Sequence, residues 1–314
     1  MNVLLFIIAP LVVGYVLGTR GLFPERWITP VQRWVLMVPM PLVSMFALWG
    51  MNWQDRHGWL PVAGGGLAMA GLVVGALAWR FFVDDRRSGA ITMICIAMSN
   101  LGQTGGTLVL LFLLGEQATA EGTLFISYFF PWTFAVVFPL GAHFSGPGYK
   151  GGGRLRDVLI APHSMPVVGL VAGLVLLWKV PPPAWTGFAL KVAMATVSIP
   201  SLTALGSRIR VLKVRHYIRE SVIVSVTKFL VLPIAGVGLI HLFGFQTHTA
   251  QMVLVMAMCP VAVNALVVAH LFDLDVDLAN SVFLVTTVVF FFVIVPLLWF
   301  ALEVGLLVPY PQAG

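Results

Sequence analysis

The sequence predicts an all-α integral membrane protein with ten transmembrane helices, arranged as two inverted five-helix repeats whose fourth and ninth helices are broken. Three observations predict this class. Of the 314 residues, 59% are hydrophobic and only 10% are charged, whereas soluble domains carry about 25% charged residues. Ten apolar runs are long enough to cross a bilayer, which takes roughly 20 residues each. In each half of the chain, one of these runs is interrupted by residues that disfavour a continuous helix.

The ten apolar runs define the predicted spans and domains. In the first half they lie near 2–19, 30–50, 59–80, 90–114 and 122–142. In the second half they lie near 163–179, 187–207, 220–243, 249–271 and 278–301. We therefore predict a first five-helix repeat over 1–145, a Gly-rich cytoplasmic connector over 146–160 and a second repeat over 161–314. The first run lacks a basic leader, so we interpret it as a span and not as a signal peptide.

The basic residues predict the orientation of the spans. The loops after spans 1, 3, 5 and 7 carry 14 Lys and Arg residues, and the opposite side carries 3. Because positive loops stay in the cytoplasm, both termini are predicted to lie outside. The pI of about 9.7 then reflects membrane topology, so we expect the lipid bilayer as a partner and no nucleic acid.

Short similarities between the two halves favour an inverted repeat. An odd number of spans in each half makes the second half enter the membrane in the opposite direction, a common plan of secondary transporters. "APLVVGYVLG" from Ala9 resembles "MPVVGLVAG" from Met165, and two proline pairs are separated by nearly the same distance. These pairs are Pro41 with Pro200, 159 residues apart, and Pro139 with Pro296, 157 residues apart.

The interrupted spans suggest a binding site. "ICIAMSNLGQTGGTLVLL" contains Gly102, Gly105 and Gly106, which permit unwound backbone, and "VMAMCPVAVNALVVAH" contains a proline. Such breaks are tolerated in a membrane only where protein or a wet cavity covers them, and the N-termini of half-helices attract carboxylates. The candidate substrate-binding residues are Asn100, Gly102, Gln103, Thr104, Gly105, Pro260 and Asn264. The alternative is a pair of kinked helices whose polar groups only bridge neighbouring helices.

One basic residue lies inside a predicted span. Lys228 follows Glu220 by eight residues in span 8, and intramembrane charges usually face the protein interior and mark function. It could balance an anionic substrate or lose its proton during coupling. Alternatively, it snorkels to the interface or donates to carbonyls freed by Pro233.

No other group of residues in the sequence suggests a catalytic, metal or nucleotide site. We expect no Asp or Glu inside a span, and a solvated acidic loop at Asp273, Asp275 and Asp277. The histidines are scattered and the two cysteines lie far apart in apolar runs, so neither a metal nor a cofactor is predicted. No nucleophile–base set and no phosphate-binding G-x-x-x-x-G-K-[ST] motif is present, which disfavours an intramembrane enzyme and an ATP-driven pump.

Three stretches resemble a known family. "CPVAVNALVVAHLFDLD" is similar to the ninth span of the auxin efflux carrier family, "SNLGQTGGTLVLLFLLGEQ" to its fourth span and "IIAPLVVGYVLGTRGLFPE" to its N-terminus. Family members usually carry a proline in the fourth-span crossover, whereas this chain has Gly and Thr there.

The resemblance implies a fold and a function. It implies that helices 4 and 9 cross at their breaks, and that spans 3–5 and 8–10 move like an elevator against a scaffold of spans 1, 2, 6 and 7. It also implies a secondary transporter of small organic anions such as carboxylates, in a bacterial inner membrane, and leaves a homodimer open. The alternatives are a sodium-coupled symporter of bile-acid-like organic anions, which shares the fold, and a non-transporting membrane sensor.

Overall fold

The computed structural model describes residues 3–23, 25–145, 165–207 and 215–305. Within these ranges the regular structure is helical, apart from an isolated antiparallel bridge between Ser99 and Val261. The predicted all-α class is therefore confirmed for the described residues. The predicted connector at 146–160 lies outside them.

The described part of the first half forms nine α-helices. They are α1 (Val3–Thr19), α2 (Glu25–Met37), α3 (Pro39–Trp49), α4 (Leu60–Phe82), α5 (Arg86–Ala97), α6 (Gly106–Leu113), α7 (Gly115–Phe125), α8 (Phe129–Trp132) and α9 (Phe138–His143). Short 3₁₀ segments at Asp55–Trp59 and Ile126–Tyr128 join α4 and α8 to the residues before them.

The described part of the second half forms eight α-helices. They are α10 (Met165–Lys179), α11 (Thr186–Ser207), α12 (Ile218–Val226), α13 (Leu232–Phe243), α14 (Thr247–Ala257), α15 (Val263–Leu271), α16 (Val276–Val289) and α17 (Val295–Glu303).

Six helical segments of the described chain are long and apolar enough to cross a membrane. They are Pro30–Trp49, Asp55–Phe82, Gly115–His143, Thr186–Ser207, Arg215–Phe243 and Val276–Glu303. They match predicted spans 2, 3, 5, 7, 8 and 10. Shorter apolar helices, Phe6–Thr19 and Met165–Lys179, occupy spans 1 and 6, and spans 4 and 9 are each divided into two helices. The number of ten spans and their inverted arrangement stay predictions.

The chain divides into two compact units. The first unit comprises Met1–His57, Gly102–Ser127 and Gly153–Ile209, and the second comprises Gly58–Leu101, Tyr128–Gly152 and Arg210–Gly314. The first unit therefore holds α1–α3, α6, α7, α10 and α11, and the second holds the other helices. The predicted repeats at 1–145 and 161–314 are the two halves of the sequence and are different from these units, which each combine segments of both halves. The repeats stay a prediction.

Glycines bring two helix pairs of the first unit into close contact. A side chain at Gly14 or Gly18 of α1 would collide with the α11 backbone at Thr203 or Ser207. Small residues four apart let two helix backbones approach in this way, which strengthens van der Waals packing in a membrane. The α1–α11 contact therefore depends on two glycines one turn apart.

The same spacing recurs where α10 meets α3. A side chain at Gly169 would collide with the backbone of Pro41, and one at Gly173 would collide with Met45. These two glycines stand at the positions of Gly14 and Gly18 when "MPVVGLVAG" is aligned with "APLVVGYVLG".

Three helices of the second unit widen into a π-turn before a proline. The π-turns span Thr133–Val137, Thr227–Val231 and Phe290–Ile294, and each ends two residues before Pro139, Pro233 or Pro296. A proline lacks its amide donor and its ring collides with the carbonyl four residues back. That carbonyl lies at the centre of each π-turn, so the wider turn accommodates the ring without ending the helix.

Candidate functional site

Both predicted interruptions are real breaks in the helices. The first separates α5, which ends at Ala97, from α6, which begins at Gly106. The second separates α14, which ends at Ala257, from α15, which begins at Val263. The second break contains Pro260, which lacks the amide donor that a continuous helix would use there.

The two breaks satisfy each other's backbone groups. The backbone N–H of Asn100 donates to the carbonyl of Pro260 at 2.7 Å, and the N–H of Ala262 donates to the carbonyl of Met98 at 3.0 Å. These bonds flank the antiparallel Ser99–Val261 bridge. An unsatisfied backbone group in a membrane interior costs several kcal/mol, so this pairing explains how both breaks persist in apolar spans.

A side chain supports the second break as well. The backbone N–H of Val261 donates to the Thr286 hydroxyl of α16 at 3.3 Å. The same hydroxyl donates to the carbonyl of Val282 at 2.9 Å. Thr286 thus ties the bridge to the helix beside it.

Lys228 reaches this pairing from the π-turn at Thr227–Val231. Its side chain is 0% exposed, and its Nζ donates to the Ser99 hydroxyl at 2.7 Å. Among the described residues it makes no ion pair with a carboxylate. The snorkelling alternative is therefore wrong for this conformation, and the ammonium lies at the junction of the two broken helices.

The structure places three of the predicted site residues in the second unit. Asn100 and Pro260 are brought together by their backbone hydrogen bond. Asn264 is exposed at the second position of α15. The first-turn amides of a helix lack partners within that helix, so the Asn264 amide group lies beside the positive end of α15.

The other four predicted residues, Gly102, Gln103, Thr104 and Gly105, belong to the first unit. Gln103 is buried and its carbonyl accepts a bond from the Ser198 hydroxyl at 2.7 Å. The N–H of Gly105 donates to the carbonyl of Gly102 at 3.0 Å. Neither glycine has a positive φ, so their role in the break does not depend on left-handed backbone.

One expectation from the sequence was wrong. No acidic residue was expected inside a span, yet Glu121 lies within the helical segment Gly115–His143 and is 1% exposed. The predicted span began at residue 122, whereas the helical segment begins seven residues earlier, at Gly115. The signal in the sequence was that "GEQATAEG" continues directly into an apolar run.

The acidic loop before α16 is tied down. Asp275 accepts bonds from the hydroxyl of Ser88 at 2.9 Å and from that of Tyr217 at 3.3 Å, and Asp273 pairs with Arg87 at 3.1 Å. The loop lines a cavity of about 390 Å³.

At the same edge of the second unit, Asp85 caps the N-terminus of α5. Hydrogen bonding from the backbone N–H of Ser88 lowers the pKa of Asp85 below its usual value. Its carboxylate therefore serves the structure of the helix end.

Comparison with known proteins supports a class for this chain. The model of the family described as "Membrane transport protein" matches residues 164–299. The class that this match and the apolar helices support is a multi-pass membrane transporter.

A full-length relative agrees with this class. The chain is 23% identical over 302 residues to an uncharacterized transporter of Methanothermobacter thermautotrophicus, covering 90% of this chain and 92% of that one. The two matches confirm the predicted resemblance to the membrane transport family of the auxin efflux carriers. Neither name specifies a substrate.

Proposed function

We propose that the protein is a secondary carrier of small organic anions, carboxylates above all, in a bacterial inner membrane. The observation that carries this proposal is the pairing of two broken helices with a buried lysine bound at their junction. Broken helices near the membrane midplane are the usual substrate sites of secondary carriers. The second unit offers such a place with a positive character.

Lys228 supplies that positive character. An ammonium in a low-dielectric interior acts over a longer range than one in water, and Lys228 is the buried charged residue of the second unit among those described. It touches Ser99 and is shielded from solvent, so it attracts an anion to the junction without contacting it in this conformation. A role in proton coupling is the other reading of the same residue.

The start of α15 would hold the substrate's carboxylate. Its first-turn amides point along the positive end of the helix dipole, and the exposed Asn264 side chain adds a neutral donor. Asn100 of the same unit belongs to this proposal, and the contacts predicted at Gln103 and Thr104 stay a prediction.

Ten spans in two inverted repeats fit this function. Two features recur at related positions of the two halves: the glycine pairs of α1 and α10 and the π-turns at Thr133–Val137 and Phe290–Ile294. The antiparallel Ser99–Val261 bridge joins the broken fourth span of the first half to span 9, the broken fourth span of the second half. We place both termini outside, following the basic loops.

We also propose an elevator-type movement of spans 3–5 and 8–10 with the substrate, against a scaffold of spans 1, 2, 6 and 7. We propose no catalytic step. The proposal is compatible with a monomer and with a homodimer.

The test is uptake into proteoliposomes of the purified full chain. Labelled mono- and dicarboxylates are screened with and without sodium and with and without a pH gradient. We expect saturable uptake of a carboxylate class that Lys228→Met lowers by about tenfold or more, equivalent to at least 1.4 kcal/mol. Lys228→Arg retains part of the uptake because it keeps the charge. Lys191→Met, at an exposed lysine of α11, is the matched control and leaves uptake unchanged.

The same assay tests Asn264 and the alternatives. Asn264→Ala raises the substrate concentration needed for half-maximal uptake, whereas Asn280→Ala in α16 does not. Full uptake by Asn264→Ala means that the carboxylate binds elsewhere. Strict dependence on sodium favours the bile-acid-like symporter, and absence of uptake for every anion favours the sensor.

A further inference from the structure

A row of polar side chains follows one side of α5 toward the buried lysine. Ser88, Thr92 and Cys95 lie three or four residues apart on this helix, so they share one face. Ser99 continues the row in the first break, where its hydroxyl accepts from Lys228 at 2.7 Å. Ser88 is half-buried, whereas Thr92 and Cys95 are 0% exposed. These four residues form the α5 row, which runs from the edge of the second unit into its interior.

A second row follows α12 to the same lysine. Tyr217 stands just before this helix, Ser221 lies four residues later and Lys228 seven residues after that. This spacing places the three side chains on one side of α12. Ser221 and Lys228 are 0% exposed, whereas Val222 and Val226 on the opposite side are about half exposed. Tyr217, Ser221 and Lys228 form the α12 row.

Hydrogen bonds join the two rows at both ends. At the outer end, Asp275 accepts from the Ser88 hydroxyl at 2.9 Å and from the Tyr217 hydroxyl at 3.3 Å. At the inner end, Lys228 donates to Ser99. In each row the two joined residues are 11 positions apart, or about 16 Å along a helix. Because α5 and α12 also pack against each other, the rows lie side by side between these contacts.

The middle of the rows carries hydroxyls that can bind water. Ser221 is fully buried, and its hydroxyl has no hydrogen-bond partner in the described part of the chain. Thr92 donates to the carbonyl of Ser88 at 2.8 Å, and its oxygen still has lone pairs with which to accept. Buried polar groups are commonly satisfied by ordered water. Thr92 and Ser221 each lie four residues inward from the outer contact, so water bound at this depth would continue the hydrogen-bonded connection inward.

The outer contact lies at the acidic cavity before α16. The cavity has a volume of about 390 Å³, and its lining includes Asp275, Asp85 and Arg87. Asp85 is exposed, so the outer end of the rows is reached from water. Carboxylates beside a cavity raise the local concentration of cations, protons included. The positions of the basic loops make this edge the predicted cytoplasmic side.

We propose that the two rows form a proton path between this cavity and Lys228. A proton from cavity water passes along the hydroxyls, and along water bound between them, to the neutral amine of Lys228. The reverse transfer returns the proton to the cavity, so no other reactant is consumed. Lysine amines act as bases where they are buried, and Ser99 is the last group of the path because it bonds Lys228 directly.

The consequence of this path for transport rests on the proposed function. The ammonium form of Lys228 attracts an anion to the junction of the broken helices, and the neutral amine does not. The proton supply on the cavity side of the membrane would therefore set how strongly the junction attracts its substrate.

Few titratable groups face Lys228 in the described part of the chain. The thiols of Cys95 and Cys259 are near enough to interact with it electrostatically, and among the described residues it pairs with no carboxylate. The charge of Lys228 therefore depends on access to protons and not on an ionic partner in this conformation. The other charged or titratable side chains of α5, α12, α13 and α16 lie near the helix ends: Arg86, Arg87, Arg219, Glu220, His241 and Asp277.

Nitrogen-15 NMR of the full chain in lipid nanodiscs tests the path without any transport assay. The protein is labelled at the lysine side-chain nitrogens, and the Lys228 signal is assigned by its loss in Lys228→Met. The measured quantity is the rate at which the Lys228 Nζ protons exchange with water at constant pH. We expect Thr92→Val combined with Ser221→Ala to slow this exchange about tenfold or more, equivalent to at least 1.4 kcal/mol in the barrier.

Thr119→Val is the matched control for this experiment. Thr119 of α7 is also 0% exposed and donates to the carbonyl four residues back at 2.9 Å, but it lies in the other unit. Its substitution should leave the Lys228 exchange at the wild-type rate. If the double variant does not fold, Ser221→Ala alone serves, and slower exchange is again the expected result.

Wild-type exchange in the variant measured overturns the path, and so does equal slowing by Thr119→Val. These outcomes are separable from the carrier proposal. Slow exchange together with full uptake by Lys228→Met supports the path and contradicts the part of Lys228 in the carrier. Unchanged exchange together with lost uptake in Lys228→Met contradicts the path and leaves the carrier standing.

Discussion

The two broken helices arrive at one backbone pairing by different routes. The second break covers residues 258–262, five residues between α14 and α15, and contains Pro260. The first break covers residues 98–105, eight residues between α5 and α6, and contains no proline. The short break lies wholly in the second unit, whereas the long one passes into the first unit at Gly102.

The difference shows how much of each break is fixed locally. Pro260 removes one amide donor within the second break itself. In the first break, Met98 and Asn100 leave the helix to bond with Ala262 and Pro260. The first break therefore depends on tertiary partners, which lie in the second break.

The largest effect on stability is expected from Ser99→Ala. The substitution removes the hydroxyl that accepts from Lys228 and leaves a buried ammonium without that bond. Hydrogen bonds to charged groups contribute about 1.5–3 kcal/mol, so thermal unfolding in detergent should shift clearly downward.

Its control is Ser221→Ala. Ser221 is also buried, and among the described residues its hydroxyl has no hydrogen-bond partner, so this variant should unfold close to the wild-type temperature. Equal shifts for the two variants would mean that the Lys228–Ser99 bond contributes nothing. In a Lys228→Met background the cost of Ser99→Ala should shrink, because the charge is gone.

A smaller loss of stability is expected from Ala262→Pro, which removes one of the two bonds between the breaks. Ala262 has φ −73°, which suits proline, so the main change is loss of the N–H that donates to Met98. Leaving that carbonyl unsatisfied should cost about 1–3 kcal/mol, measured by thermal unfolding together with uptake.

Val263→Pro is the matched control for this substitution. It places proline at the first position of α15, where helices tolerate it, after a residue whose extended backbone accepts a following proline. If Val263→Pro is as harmful as Ala262→Pro, the ring and not the lost bond is responsible.

The smallest effect is expected from Thr286→Val, which removes the acceptor of the Val261 N–H. At 3.3 Å this bond is long, so we expect a loss of about 1 kcal/mol or less in thermal unfolding. The neighbouring Thr287→Val is the control, because the Thr287 hydroxyl has no hydrogen-bond partner in the described part of the chain. A drop larger than that of Ala262→Pro would make Thr286 the main support of the bridge and reverse the comparison.

Much of the fold could be read from the order of residues. Apolar runs of about 20 residues predict spans because burying backbone in lipid requires helices, and the six long apolar helices lie where six of those runs were placed. The prediction that no acidic residue lies inside a span was wrong at Glu121, because span 5 was predicted to begin at residue 122. The polar residues from Gly115 to Gly122 look like a loop by composition, yet they are helical because α7 packs against α3 and α6.

The candidate site was only partly predictable. The sequence pointed to both breaks and to Lys228, because a proline, a glycine cluster and a charge are each exceptional in an apolar helix. It did not reveal that Lys228 binds Ser99, since the two residues are 129 positions apart.

The sequence by itself determined that the protein is a helical membrane protein and marked where two of its spans are interrupted, one by Pro260 and one by a glycine cluster. These are local effects of hydrophobicity and of residues that disfavour a continuous helix. Only the tertiary structure decided which carbonyl each freed amide meets and where the buried ammonium finds its acceptor. Such contacts join residues that are distant in the chain. Buried polar groups must form hydrogen bonds, but this requirement does not specify which group is the partner of which.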